Sequence, residues 1–197
     1  QFIKIKKNEI IKRNYFSFIH NKKREISLKE ATESIDQLLE KSVKERLIAD
    51  VPIGVFLSGG IDSSLIAYYA KKFDSNITSF TIKMENDTYD ESSYAKLVAD
   101  KLGIENNVAE FNDHEIIKSL EIIEKKMDEP LGDPSILPTF LLAKFAKESV
   151  KVALSGDGAD ELFCGYAPFK SAPYLKVLNL IPKNFGNTIT SRMEKIP

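Results

Sequence analysis

The sequence predicts a doubly wound α/β domain, a mainly parallel sheet with helices on both faces. Short apolar runs at 54–57, 77–82, 107–111 and 151–154 alternate with longer amphipathic segments; strands and helices in alternation give a parallel sheet with crossover helices. Two of these runs pass straight into glycine-rich turns, Ser58-Gly59-Gly60 and Ser155-Gly156-Asp157-Gly158. Folds of this class bind ligands at the carboxyl ends of their strands. The chain has 197 residues, 43% hydrophobic and 29% charged. That suffices for one α/β domain with a buried core and is too apolar for a disordered chain.

The elements follow in order. Residues 1–19 alternate apolar and polar, with Phe2, Ile3 and Ile5, then Ile10 and Ile11, then Tyr15 and Phe16, and Lys7-Asn8-Glu9 as a turn. This pattern reads as a hairpin remnant or a linker, and a lone hairpin is marginal in water. Ser27-Leu28-Lys29-Glu30 is a capping box that opens a helix over 28–48. Its apolar stripe is Ala31, Ile35, Leu38, Leu39, Val43 and Leu47, and Asp50-Val51-Pro52 ends it. A buried strand at 54–57 and a helix over 62–73 come next, then a strand at 77–82 and a polar loop at 84–90. A helix over 91–102 closes on Gly103. After the strand at 107–111, Asp113 caps a helix to 127. The loop 128–134 leads to a helix over 137–149 and a strand at 151–154. Beyond 165 the pattern blurs, with Pro168, Pro173 and Pro182 interrupting.

Several classes are disfavoured by composition. The formal net charge is −1, so the chain as a whole is not built to neutralise a phosphate backbone. Cys164 is alone, which excludes an internal disulfide and a CxxC metal cluster and fits a reducing cytoplasm. No apolar run approaches the roughly 18 residues of a membrane span, and residues 1–7 are no secretory segment. The chain begins at Gln1 without an initiator Met, as an excised piece would. His20 and His114 lack metal-ligand spacing and are expected at the surface or at a helix start.

The chemistry concentrates at the two turns. Gly59 and Gly60 free the backbone for a close anion, and the helix that follows aims its unpaired amides and positive dipole end at the same spot. Ser58, Ser63 and Ser64 add hydroxyls, which makes a pocket for pyrophosphate. Asp62 stands inside it. Two like charges about 4 Å apart repel by roughly 4 kcal/mol at an effective dielectric of 20. A Mg²⁺ ion between carboxylate and phosphates removes the conflict, so Asp62 predicts a metal. The spaced glycine and lysine of a Walker loop are absent, which suits a departing pyrophosphate rather than a gripped γ-phosphate. Asp160-Glu161 reads either as a dipole-favoured helix start or, beside Ser155-Gly156, as a metal-binding pair. Asp128, Glu129 and Asp133 form either a solvated connection or part of an acceptor pocket. Tyr166 packs or orients a substrate, and Lys170 reads as a solvated lysine.

Ser58-Gly59-Gly60-Ile61-Asp62-Ser63 resembles the pyrophosphate loop of the ATP pyrophosphatase (PP-loop) superfamily. Ser155-Gly156-Asp157-Gly158-Ala159-Asp160-Glu161-Leu162-Phe163-Cys164-Gly165-Tyr166 resembles the second motif of its glutamine-hydrolysing asparagine synthetase class, as does the lead-in from Arg46-Leu47 through Asp50-Val51-Pro52 to Leu57. The resemblance implies an adenine nucleotide alpha hydrolase-like fold and a synthetase domain over 28–170. It implies that residues 1–19 are the tail of a preceding glutaminase domain and 171–197 a truncated helical part. It further implies ATP and Mg²⁺ as cofactors. Ser58, Gly59, Gly60, Asp62 and Ser63 would then hold the pyrophosphate, and Asp62 and Asp160 the metal. The backbone around Phe56, Ile82, Ser155 and Gly156 would contact adenosine, and Asp157, where many members carry Glu, would join Asp62 in forming the acyl-adenylate. The implied reaction is amidation of aspartate to asparagine with release of AMP and pyrophosphate, in the cytoplasm. Ammonia would come from glutamine through the glutaminase domain, whose N-terminal cysteine this chain lacks. Partners would be small molecules, with no membrane or nucleic acid, and a homodimer stays open. The alternatives are a relative amidating a sugar acid or another carboxylate, a tRNA-modifying PP-loop ligase sharing only the first motif, and a non-catalytic nucleotide-binding module.

Overall fold

The computed structural model describes residues 1–7, 9–16, 25–84, 90–129 and 131–169. The chain divides into two units, Gln1–Leu38 and Leu39–Pro197. In the first unit, β1 (Phe2–Lys6) pairs antiparallel with β2 (Glu9–Arg13), with Lys6 opposite Glu9, so Glu9 belongs to the strand and not to the expected turn. Helix α1 (Leu28–Arg46) begins on the expected capping box. The Glu30 amide donates to Ser27 Oγ at 3.2 Å, and the Ser27 amide donates to Glu30 Oε2 at 2.9 Å.

The second unit holds the last part of α1 and a four-stranded sheet. Its elements are β3 (Ile53–Phe56), α2 (Ile61–Phe73), β4 (Thr78–Lys83), α3 (Ser92–Leu102), β5 (Glu105–Glu110), α4 (Asp113–Lys126), α5 (Ile136–Ala146), β6 (Val152–Leu154) and α6 (Ala159–Phe163). All four strands are parallel, in the order β5-β4-β3-β6. Successive residues of a strand point to opposite faces, and β3 shows it. Val55 and Leu57 join a core cluster with Leu39, Val43 and Leu47 of the α1 end, Ala67 and Ala70 of α2, and Ala95 and Ala99 of α3. Phe56 joins the opposite cluster, with Phe80 and α5 residues Leu142, Phe145 and Ala146. Helix α4 packs against α5. This is the doubly wound parallel α/β arrangement that the alternation predicts.

Several boundaries differ from expectation. The stripe of α1 is core only from Leu39 onward; Ile35 and Leu38 are 38% and 66% exposed. α1 stops at Arg46 and α5 at Ala146, short of the predicted 48 and 149. β5 starts at Glu105 rather than 107, because the ladder pairs Glu105 with Thr78 and Asn106 with Ser79 whatever their polarity. The cap of α4 is Asn112, not Asp113. Asn112 keeps extended backbone and accepts the Glu115 amide at 3.0 Å, while Glu115 Oε2 accepts the Asn112 amide at 3.1 Å. Gly103 does close α3, with φ of 64°. The expected loop at 84–90 is described only at its ends, and 171–197 lies outside the described residues, as do Asn8, His20, Pro130 and Lys170.

One consequence concerns Gly54, where a Cβ would lie 2.6 Å from the Phe80 ring. Phe80 is 1% exposed and packs edge-on to Phe145 at 5.8 Å between centroids, so the ring has no room to yield. We expect Gly54→Ala to lower stability by about 1–3 kcal/mol, read from the midpoint of urea unfolding; an unchanged midpoint would contradict this packing. A second consequence concerns acid. Asp90 accepts the Ser92 hydroxyl at 2.8 Å, and the amides of Ser92 at 3.1 Å and Met84 at 3.3 Å, tying the end of β4 to the start of α3. The Ser92 hydroxyl first, and the two amides and Lys83 after it, outweigh desolvation and hold the Asp90 carboxyl below the usual aspartate range. A depressed folded pKa means that the clasp stabilises fully above the unfolded value and is lost as pH falls through the folded one. Asp90→Asn should therefore flatten the acid limb of a stability–pH curve below the ordinary aspartate range and leave its neutral-to-basic shape unchanged.

Candidate functional site

The site grows from the carboxyl end of β3. Leu57 is tied to β4 on both sides: its amide donates to Phe80 O at 3.0 Å, and its carbonyl accepts the Thr81 hydroxyl at 2.7 Å. The chain then leaves the sheet through Ser58, Gly59 and Gly60. Gly59 has φ of 85°, and a Cβ there would meet the Tyr94–Ala95 backbone of α3 at 2.5 Å, so only glycine fits. The turn is cross-braced by hydroxyls. Ser58 Oγ and Ser63 Oγ are 3.0 Å apart, the Ser58 amide donates to Ser63 Oγ at 3.3 Å, and the Gly60 amide donates to Ser58 Oγ at 3.2 Å. Gly60 is the N-cap of α2 and supplies no side chain to its first amides. Those donors are left for a ligand.

The second turn leaves β6. Because β6 is the hydrogen-bonded neighbour of β3, with Val55 opposite Leu154, both turns emerge at one edge of the sheet. They touch: a Cβ on Gly156 would lie 2.9 Å from the Ser63 nitrogen and 3.0 Å from Asp62 Cβ. The Ser155 hydroxyl donates to Asp157 Oδ2 at 2.9 Å, which folds the Asp157 carboxylate back over its own turn.

A cleft of about 830 Å³ opens here. Of the residues singled out from the sequence, Phe56, Ser58, Gly60, Asp62, Ser63, Ile82, Ser155, Gly156 and Asp157 line it. Gly59 does not, being turned against α3, and neither does Asp160. The Asp160 carboxylate instead lies where a Cβ on Gly165 would be, and the Gly165 amide donates to Asp160 O at 3.0 Å. The structure thus brings Asp62 and Asp157 to one wall but not Asp160 with them. Among the described residues no three His, Cys, Asp or Glu side chains stand close enough to form a metal cage by themselves. A second cavity, about 460 Å³, lies across Asp62, Gly156 and Asp157, which wall both. Arg46 lines this second cavity and donates to Ser42 O at 3.1 Å and Ser42 Oγ at 2.7 Å.

Other candidates take ordinary places. The Tyr166 hydroxyl donates to Glu161 Oε1 at 2.9 Å, and this bond pushes its pKa up. Asp133 accepts the Ser135 amide at 2.9 Å at the start of α5; this bond lowers its pKa. Asp128, Glu129 and Asp133 do not line the cleft, and His114 sits in the first turn of α4. Residues missed by sequence reasoning are Thr81 within β4, Met84 and Glu91 after it, and Ser135, Pro138 and Thr139 at the start of α5. A hydroxyl within the apolar run 77–82 was the signal for Thr81; the α5 residues belong to no motif.

Known proteins match this chain as follows. A family model described as asparagine synthase covers residues 34–194. The glutamine-hydrolyzing asparagine synthetase 1 of Bacillus subtilis (strain 168) is 43% identical over 72% of this chain and 22% of its own length. A putative glutamine-hydrolyzing asparagine synthetase of Mycobacterium tuberculosis (strain ATCC 25618 / H37Rv) is 34% identical over 84% of this chain and 25% of its own length. The chain therefore spans about a quarter of the length of these relatives. Among solved structures, an NH3-dependent NAD synthetase from Campylobacter jejuni overlays 68% of this chain and 60% of its own, with a TM-score of 0.45 and 20% identity. With the family model matched over residues 34–194, around the two turns that meet at Gly156, the chain belongs to the asparagine synthase family.

Proposed function

We propose that this chain is the ATP-binding synthetase part of a glutamine-dependent asparagine synthetase, with residues 28–170 forming the working domain. The observation that carries the reading is the contact of Gly156 with Asp62 and Ser63. It makes one cleft floor from two glycine-rich turns and the unpaired amides of α2. The cleft has two chemical halves. Phe56, Ile82, Leu137, Pro138 and Leu142 give an apolar wall suited to a purine, and Ser58, Gly60, Ser63, Ser155 and Gly156 give donors suited to phosphates. A volume near 830 Å³ accommodates a nucleotide and a small carboxylic acid.

Mg²⁺ belongs to the same proposal. Its fit is tested by Asp62, which sits beside the unpaired amides of α2, and by the finding that no three His, Cys, Asp or Glu side chains among the described residues could cage an ion by themselves. Mg²⁺ commonly uses one or two protein carboxylates and takes its other ligands from phosphates and water. Asp62 would hold it, and Asp160 joins Asp62 on the motif resemblance alone. When bound, the ion neutralises charge between carboxylate and phosphates.

In this reading the acceptor's carboxylate oxygen attacks the α-phosphorus of ATP, and the bond to the β-phosphate oxygen breaks. Ammonia then attacks the acyl carbon, AMP leaves, and the nitrogen sheds its excess proton. The chain's own contribution is to orient the phosphates on fixed amides and to keep the reacting groups in line. Asp157, held by Ser155, would join Asp62 in forming the acyl-adenylate. Aspartate as acceptor, ammonia from a glutaminase domain and a cytoplasmic location complete the proposal; among the described residues no helix is long and apolar enough to cross a membrane.

The test is pyrophosphate release by the protein with its flanking residues, given ATP, Mg²⁺, ammonia and a panel of carboxylic acids. We expect release to depend on aspartate and to fall at least roughly a hundredfold in Asp62→Asn. Release equally dependent on a sugar acid, or indifferent to Asp62→Asn, would overturn the acceptor or the metal assignment respectively. A second expectation concerns the floor. Gly156→Val must push the two turns apart, so ATP affinity should drop about tenfold or more, read by calorimetry. Wild-type affinity in that variant would sever the second turn from nucleotide binding.

A further inference from the structure

Beneath the first turn lies a buried polar relay that no motif contains. Thr81, 3% exposed, and Ser79, fully buried, point to the same face of β4. Both hydroxyls meet the side-chain amide of Asn106 on β5, Ser79 at 3.0 Å and Thr81 at 2.9 Å. Thr81 Oγ1 also meets Leu57 O at 2.7 Å, and Ser79 Oγ meets Glu105 O at 3.3 Å. Each hydroxyl has one proton and faces two acceptors as the amide stands, while Asn106 Nδ2 is buried without a partner among the described residues. Turning the Asn106 amide over gives each hydroxyl proton its own acceptor and moves the buried unpartnered atom from Nδ2 to Oδ1. Its NH₂ then donates to both hydroxyls, leaving the Thr81 proton for Leu57 O and the Ser79 proton for Glu105 O. The buried amide thereby sets the direction of the Thr81 hydrogen bond.

That bond lands on the last residue before Ser58. Leu57 has its amide held by Phe80 O and its carbonyl by Thr81, so the point at which the chain leaves the sheet is clamped from both sides. Two residues later Gly59 lies against α3 with no room for a Cβ. A turn fixed at both of these places presents its amides at a preset height above the strand tips.

We infer that Thr81, oriented by Asn106, is a positioning residue for the nucleotide turn: it holds Leu57 so that Ser58, Gly60 and the first amides of α2 meet the phosphates. This rests on the nucleotide reading above. Thr81 lines the cleft, but its proton is committed to Leu57 and is not offered to a ligand. Ser79 is an internal control. It is equally buried, bonds the same amide, and reaches Glu105 at the far end of the strand rather than the turn.

The experiment is calorimetric titration of the 197-residue chain with Mg·ATP, beside thermal melting, for wild type, Thr81→Val, Thr81→Ser and Ser79→Ala. Both Thr81→Val and Ser79→Ala should lower the melting temperature. Only Thr81→Val should weaken ATP binding, by about tenfold, and Thr81→Ser should restore affinity to within about twofold of wild type. The inference is overturned if Thr81→Val binds ATP like wild type, or if Ser79→Ala loses as much affinity as Thr81→Val. Should Thr81→Val not fold, Thr81→Ala titrated at low temperature carries the same two outcomes. No ATP binding by the folded wild-type chain would instead sink the nucleotide reading, and the inference with it.

Discussion

Gly156 rests on the backbone of Asp62 and Ser63 because β3 and β6 are hydrogen-bonded neighbours, although nearly a hundred residues of chain separate them. Parallel pairing obliges the intervening chain to cross over and return, and it delivers two strand ends to the same edge. Every feature of the cleft follows from that adjacency. Without it the Ser58 turn would be a strand-to-helix connection like many others, and Ser155-Gly156 would be a second one elsewhere. With it the two turns share a floor that admits no side chain at position 156.

The surroundings of that floor are arranged to keep it rigid without filling it. Hydroxyls rather than apolar groups brace the first turn: Ser63 reaches back to Ser58, and Ser58 to Gly60. Backbone amides at the start of α2 stay free because Gly60 has no side chain with which to cap them. On the opposite side, α5 brings Leu137, Pro138 and Leu142 over the cleft. Their side chains make this wall more apolar than the facing one, although Ser135 and Thr139 stand beside them. An asymmetric cleft of this kind suits a ligand with one apolar end and one anionic end.

Ser79, Thr81 and Asn106 form a polar line through the sheet. They occupy positions where a strand core would ordinarily carry Val or Ile. Such a network is costly unless each group is satisfied. Its retention next to the turn fits a role in placing the turn, since apolar side chains would fill the same space but could not hold the Leu57 carbonyl.

The sequence by itself determined the periodic and local features: the strand–helix alternation, the Ser27–Glu30 box, the Gly103 stop and the two glycine-rich turns. These depend on contacts a few residues apart, so the order of residues contains them. Local patterning was weaker where pairing overrides it, as at Glu105 and Asn106, or where two adjacent residues compete for one cap, as at Asn112 and Asp113. Only the tertiary structure decided that the turns touch, that Asp160 is turned away from the wall carrying Asp62, and that α5 supplies the apolar side of the cleft. These are contacts between segments far apart in the chain. Which segments meet is set by the sheet order β5-β4-β3-β6, and no stretch of sequence read alone encodes its own neighbour.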